Sequence, residues 1–342
     1  MAITIKDVAR EAGVSFSTVS KVVNNSPEIS HATVTKVKEV MERMDFTPNV
    51  RASNFKKRST KNIAFLTALK KGEAFNNPHM FEILCGAHSV LARKGYSTTL
   101  LDISRDEKQG DTLKAVISAG GYDGIIVHGS AISVDSAAML ARGSFPYIVI
   151  GKPEFESRVC WLDTNNILAG SIAAHHLLDG GVTNMAFVGG ENNERISKDR
   201  LDGVMSALAE RKTIVEKNNI KYTNSSIEES YIVAKELILQ KSKIDGIICE
   251  NNSIAIGVLR AINESGLQMP EDLQLVTFDD YPYSHIMTPS PTVVNIDVHD
   301  LGEQAASQLM RNIKNPALHV QSYITLPELI IRGTTKIKKV HM

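Results

Sequence analysis

Residues 4–24 read Thr4-Ile5-Lys6-Asp7-Val8-Ala9-Arg10-Glu11-Ala12-Gly13-Val14-Ser15-Phe16-Ser17-Thr18-Val19-Ser20-Lys21-Val22-Val23-Asn24. Thr4 and Asp7 form a T-x-x-D capping box, with an acid near the positive end of a helix. Ile5, Val8, Ala9 and Ala12 then recur at i, i+3, i+4 and i+7, which predicts one apolar face. Gly13 ends that helix, because glycine adopts the left-handed turn without a Cβ penalty. Ser15 caps a second helix to about Val23. Val14, Val19, Val22 and Val23 can face inward, leaving Phe16, Ser17, Ser20 and Lys21 on or near the outer side.

Ser30 caps a third helix, with Val34, Val37, Met41 and Met44 spaced for burial. Three short helices, the first two joined by a glycine turn, make a helix-turn-helix whose second helix suits a major groove. Phe46-Thr47-Pro48-Asn49 breaks the pattern, since proline restricts itself and its predecessor. Residues 49–58 are a basic stretch without a full apolar face. They fall short of the ~12–15 residues an isolated helix needs in water. Charge supports the division. Residues 1–61 hold eleven Lys and Arg against six acids, net +5, which leaves −5 on the remainder. A basic head on an acidic body expects a polyanion as the head's partner.

The 342 residues are too many for one ordinary domain. Two internal echoes organise the rest. Asn62-Ile63-Ala64-Phe65-Leu66 returns as Asn184-Met185-Ala186-Phe187-Val188, and Asp123-Gly124-Ile125-Ile126 as Asp245-Gly246-Ile247-Ile248, both 122 residues later. The equal offset predicts a duplicated unit. Strands are expected at 62–67, 97–102, 124–128, 146–150, 184–188, 218–223, 246–249 and 273–278. Helices are expected at 80–94, 109–119, 168–179, 199–210, 228–240 and 253–265. Such alternation means parallel sheets covered by helices on both faces. The fold class is therefore an all-α helix-turn-helix head on an α/β body of two doubly wound lobes.

Ligands of open parallel sheets sit beyond the carboxyl ends of the strands. Those ends carry Phe75, Asn77, His79 and Met80, then Ser130, then Gly151 and Lys152. In the second half come Lys198, Asp199 and Arg200, then Glu250, Asn251 and Asn252, then Asp279 and Asp280. Carboxylates, amides and an arginine beside aromatics suit a neutral polyhydroxyl ligand, whose hydroxyls each need a donor and an acceptor. Many of these residues can instead only cap helices, and Ser130, Glu250 and Asn252 read first as caps or helix-end charges. Trp161, the sole tryptophan, reads either as a stacking platform or as a residue packed where the chain changes lobes.

The run Ile5–Asn24, continued by a third helix and Phe46-Thr47-Pro48-Asn49, resembles the DNA-binding head of the lactose-repressor (LacI/GalR) family, and the resemblance extends along the chain. It implies lobes like those of a type I periplasmic binding protein. Their expected bounds are 62–160 with about 291–320, and 161–290 with about 321–336. The head is expected at 1–48 and a hinge at 49–61. It implies a homodimer on a double-stranded DNA operator, with Phe16, Ser17 and Lys21 at base edges. Ser15, Thr18 and Asn24 are placed against phosphates, Thr4 also lies at the DNA, and Ala52 and Phe55 sit in a linker that folds there. The effector residues it implies are Phe75, His79, Met80, Ser130, Asn165, Arg200, Asn251 and Asp279. Asp163-Thr164-Asn165-Asn166, Ser197–Gly203 and Phe278-Asp279-Asp280 match family segments at those places. Departures are Lys21 for an arginine, Phe55 for a leucine, Gly151-Lys152 for D-R, and His79-Met80 for two aromatics.

No cofactor, metal or catalytic step is expected. The chain lacks GxGxxG after a strand, a P-loop, H-E-x-x-H and G-x-S-x-G. His175 and His176 are adjacent on one helix and face different ways. A regulator answering to a partner protein remains the alternative. Three scattered cysteines, no apolar leader and no long apolar run point to a cytoplasmic protein without a membrane span.

Overall fold

The computed structural model describes residues 5–23, 29–44, 46, 59–69, 78–103, 110–191, 195–240, 243–316 and 322–336, without the side chains of Ile5, Ser130 and Tyr283. Thr4, Asn24, Ala52, Phe55, Phe75 and the basic stretch 49–58 lie outside these residues. Two compact units result, the first holding the N-terminal helices and the second beginning at Lys61.

In the first unit α1 (Ile5–Ala12), α2 (Phe16–Val23) and α3 (His31–Arg43) enclose Val8, Ala9, Ala12, Val19, Val22, Val37 and Val40. Gly13 turns the chain between α1 and α2 at φ +61. Ser30 caps α3 by accepting from the Thr33 N–H. The core is small and wholly aliphatic, as the spacing of valines and alanines requires.

The second unit contains two six-stranded sheets. In the first lobe β1 (Asn62–Thr67), β2 (Ser97–Asp102), β3 (Gly124–His128), β4 (Tyr147–Ile150) and β5 (Trp161–Thr164) stand in the order 2-1-3-4-5. In the second, β6 (Met185–Gly189), β7 (Ile220–Tyr222), β8 (Gly246–Cys249), β9 (Gln274–Phe278) and β10 (Thr292–Asn295) repeat that order. The first sheet is completed by β11 (Tyr323–Thr325), parallel to β5. The second is completed by β12 (Glu328–Ile330), antiparallel to β10. The inner strands are buried along nearly their whole length, as sheets covered on both faces demand.

The 122-residue echo has a local cause. Asp123 N–H donates to Asn62 O at 2.9 Å, and its carboxylate accepts from Lys61 N–H. Asp245 N–H donates to Asn184 O at 3.0 Å, and its carboxylate accepts from the N–H groups of Thr183 and Asn184. In each lobe an aspartate ahead of the third strand fastens the chain entering the first.

The strands move the lobe boundaries from where the sequence reading put them. Trp161–Thr164 pairs in the first sheet, Thr292–Asn295 in the second and Tyr323–Thr325 in the first. The chain therefore changes lobe after 164, after 295 and after 325. Short apolar runs carry no local mark of the sheet they join, so sequence pattern alone misassigned these three. It also passed over the helices α6 (Val134–Arg142) and α11 (Val298–Lys314). The helices read from sequence are α4 (His79–Arg93), α5 (Asp111–Ala119), α7 (Asn166–Asp179), α8 (Arg195–Glu210), α9 (Ile227–Leu239) and α10 (Asn252–Glu264).

Helices α7 and α8 touch backbone to backbone through a pair of glycines. A Cβ on Gly170 would lie 1.9 Å from Arg200 O, and one on Gly203 1.9 Å from Ile167 O. Gly86 and Gly302 do the same for α4 and α11, at 2.0 Å from His299 O and 2.1 Å from Ile83 O. No side chain can yield at such a contact, so the helices themselves must separate. We expect Gly203→Ala to lower stability by about 1–3 kcal/mol, the usual cost of overpacking. The urea midpoint should fall with an unchanged slope. A midpoint equal to wild type would show that the helices slide apart freely.

Candidate functional site

The centre of the second lobe is Arg200, only 3% exposed. It sits on α8 one turn beyond Ser197, where the glycine contact holds α8 against α7. Its Nε donates to Asn166 Oδ1 at 3.0 Å, and its Nη1 donates to the backbone carbonyl of Glu250. The guanidinium also stacks on Phe278, 4.1 Å from the ring centroid. A buried arginine needs partners of this kind, because an unpaired one costs several kcal/mol.

Asp279 follows Phe278 at the end of β9 and is 6% exposed. Its φ of +67 is unusual for a residue with a side chain. The conformation is held by Asn252, whose Nδ2 donates to the carbonyls of both Phe278 and Asp279, at 2.9 and 2.8 Å. Asp279 Oδ1 is buried without a hydrogen-bond partner among the described residues. Among the described residues Arg200 and Asp279 form no ion pair with each other, so Arg200 does not occupy that carboxylate. Burial raises the Asp279 carboxyl above the usual aspartate range, against the opposing pull of Arg200. A nine-tenths-buried carboxylate oxygen with no donor is an acceptor held ready for one.

The first lobe contributes His79, the opening residue of α4, and His128, the last of β3. Burial, then the charge of Arg200, brings His79 from 6.5 to about 4. Burial, then His79, brings His128 to about 4. Both imidazoles are thus neutral at pH 7, each offering one donor and one acceptor. Met80 lies beside His79, partly buried in the first turn of α4.

Two expected ligand residues also serve as helix caps. Asn251 caps α10, its Oδ1 accepting from Ile254 N–H and its Nδ2 donating to Ser225 Oγ, so both ends of the amide are engaged. Asn165 caps α7, its Oδ1 accepting from Leu168 N–H at 3.0 Å. In each pair the following asparagine does the buried work, Asn252 beneath Asp279 and Asn166 on Arg200. Glu250 is no cap either. Its carboxylate is buried and accepts from Gly190 N–H and Ser197 Oγ. Doubled asparagines after a strand, Asn165-Asn166 and Asn251-Asn252, carried the signal, but only burial tells cap from partner. Ser130 lies in the short turn Gly129–Ala131.

On the head, Phe16 is 52% exposed at the start of α2, which excludes it from the core. Ser15, Ser17 and Lys21 are exposed too, while Val19 and Val22 point inward. Ser15 Oγ accepts from Thr18 N–H at 3.1 Å and meets Ser17 Oγ at 2.8 Å. A short helix therefore presents an aromatic and hydroxyls at its N-terminal end and a cation in its last turn.

Residues 4–49 match the family of bacterial regulatory proteins, lacI family, and residues 174–335 match the periplasmic binding protein-like domain. By these matches the chain resembles the lacI family in its head and a periplasmic binding protein-like domain in its body. The HTH-type transcriptional repressor PurR of Vibrio parahaemolyticus is 28% identical over 335 residues, 97% of this chain and 98% of that one. The ribose operon repressor of Haemophilus influenzae is 27% identical, over 96% and 97%. The transcriptional regulator CelR in complex with cellobiose shares the fold, with a TM-score of 0.73 and 24% identity over 97% of this chain and 100% of that one. Among the described residues no helix is long and apolar enough to cross a membrane.

The two histidines set a pH dependence. A histidine held below its ordinary 6.5 must be protonated against its surroundings in acid, so its contribution is intact above pH 6.5 and is lost towards pH 4. Asp279, shifted upward, works the opposite way, favouring the fold as pH falls through its raised range. His176 is lowered and Asp163 raised in the same way, so with three histidines against two aspartates the melting temperature of wild type should fall between pH 6.5 and 4.5. The decline should be shallower in the double variant His79→Gln/His128→Gln. Equal slopes in thermal scans would show that the imidazoles titrate as exposed ones.

Proposed function

We propose that this protein is a homodimeric, operator-binding transcriptional repressor whose DNA affinity is set by a neutral polyhydroxyl ligand, a sugar, held between the lobes. The observation that carries the ligand reading is the orphaned Asp279 Oδ1 beside an arginine that its own lobe anchors through Nε and Nη1. A carboxylate that accepts and neutral imidazoles that donate and accept match hydroxyls, which do both. Names of relatives agree, in the ribose operon repressor and the CelR–cellobiose complex. The repressor reading is supported by the family and by PurR. For the dimer, Ile286 is 81% exposed next to Met287, which lines a cavity of about 320 Å³ with Ile256 and Leu259. Such apolar surface is the kind a second copy covers.

Phe16, Ser17 and Lys21 read base edges in this proposal, and Ser15 and Thr18 meet phosphates. Thr4, Asn24, Ala52 and Phe55 contribute at or beside the DNA. Ligand between the lobes favours one lobe arrangement, and linkage makes the coupling reciprocal: ligand changes operator affinity as much as operator changes ligand affinity.

Two experiments test this. Asp279→Asn keeps the shape and one acceptor oxygen. It should dimerise and bind operator normally while its ligand response weakens at least about tenfold, the scale of a charge-assisted hydrogen bond. Full response in that variant would move the effector away from this cleft and favour a partner protein. Exchanging Phe16 and Ser17 for other residues should alter the sites recovered from a randomised-operator selection, with helicity unchanged. Recovery of the same sites would remove α2 from base reading.

A further inference from the structure

Trp161 is not explained by the site above. On β5 the side chains alternate, with Leu162 and Thr164 buried and Trp161 and Asp163 on the other, partly open face. Trp161 lines a cavity of about 240 Å³ with Lys152, Pro153, Glu154, Phe155 and Arg195. The cavity spans both lobes. Arg195 opens α8 of the second lobe, and its Nη1 donates to Pro153 O of the first at 3.0 Å. Its Nε meets Asp199 at 3.2 Å. Lys152 Nζ stands 5.7 Å from the Trp161 ring centroid, and Lys152 N–H donates to Asp163 Oδ2.

We propose that Trp161, Lys152 and Arg195 form an outer subsite that takes the second ring of a disaccharide or other glycoside whose first ring lies at Arg200 and Asp279. The proposal rests on the sugar reading of that inner site. Three observations carry it. The volume is below the ~300–1,000 Å³ of sites for whole drug-sized ligands, and suits one ring. The lining pairs an indole with two cations, Lys152 and Arg195, balanced by Glu154 and Glu156. That balance gives donors and acceptors around an aromatic face, the requirement of a neutral pyranose, and offers no excess positive charge for a phosphate. Arg195 opens the helix that carries Arg200 five positions on, about 7.5 Å along its axis, so both lie near the same helix start.

Trp161 is the only tryptophan, so its emission is not mixed with that of any other indole, and a monosaccharide at saturation gives the change that lobe rearrangement alone produces. The test is calorimetry and fluorescence on the full chain with glucose, galactose and ribose against maltose, cellobiose, lactose and trehalose. We expect one disaccharide to bind at least about tenfold tighter than its constituent monosaccharide and to change the Trp161 emission at saturation. Trp161→Leu should bring that disaccharide down to the monosaccharide's affinity, while Trp161→Phe retains most of the difference. Both variants are checked by thermal melting, and the wild-type emission needs no variant. A monosaccharide bound as tightly as any disaccharide, an unchanged emission at saturation, or an unaffected Trp161→Leu overturns the outer subsite and leaves the inner one standing. Binding of no sugar of either length overturns the sugar reading itself, and the subsite with it.

Discussion

Burying the Arg200 guanidinium binds the second lobe into one piece. The charge is tolerable there only because three elements besides α8 answer it: Asn166 at the start of α7, the Glu250 carbonyl after β8, and the Phe278 ring at the end of β9. The Gly170–Gly203 contact brings α7 near enough for the Asn166 bond to form. The Glu250 side chain, meanwhile, holds Gly190 at the end of β6 and Ser197 on α8. Three strand or helix ends thus meet at one arginine, the Glu250 side chain ties in a fourth, and Asp279 is left beside it with a free acceptor.

The two lobes are copies in strand order and differ in chemistry. The same aspartate clasp opens both, and the same glycine pairing seats a helix pair in each. Yet the second lobe carries the buried charges, and the first meets them with imidazoles that the surroundings keep neutral. A duplicated scaffold fixes where strand ends open, while the residues at those ends set what each side offers a ligand. The three chain crossings, after 164, 295 and 325, lie beside those ends. A ligand touching both lobes therefore acts where the lobes are joined.

The head was legible from sequence because its determinants are local. Caps, a glycine turn and valines at helical spacing act over a few residues, and the core of Val8, Val19, Val22 and Val37 is the one the spacing demands. The inner strands were legible for a similar reason, as apolar runs of strand length bounded by turns. Arg200 and Asp279 were legible as residue types at strand or helix ends. Their relation was not, since nothing in the chain between them says whether they pair.

What the sequence alone determined, then, is the class of protein: three helices, the second and third capped by serines, a basic head, a repeated α/β unit, and polar residues collected after the strands. Only the tertiary structure decided which sheet Trp161–Thr164, Thr292–Asn295 and Tyr323–Thr325 enter, because strand pairing is a contact between distant segments. It also decided which asparagine of each pair caps a helix and which supports the site. Asn165 and Asn166, like Asn251 and Asn252, are chemically identical neighbours. Their roles part because the helix start turns one amide back onto its own backbone N–H, while packing carries the next towards Arg200 or Asp279.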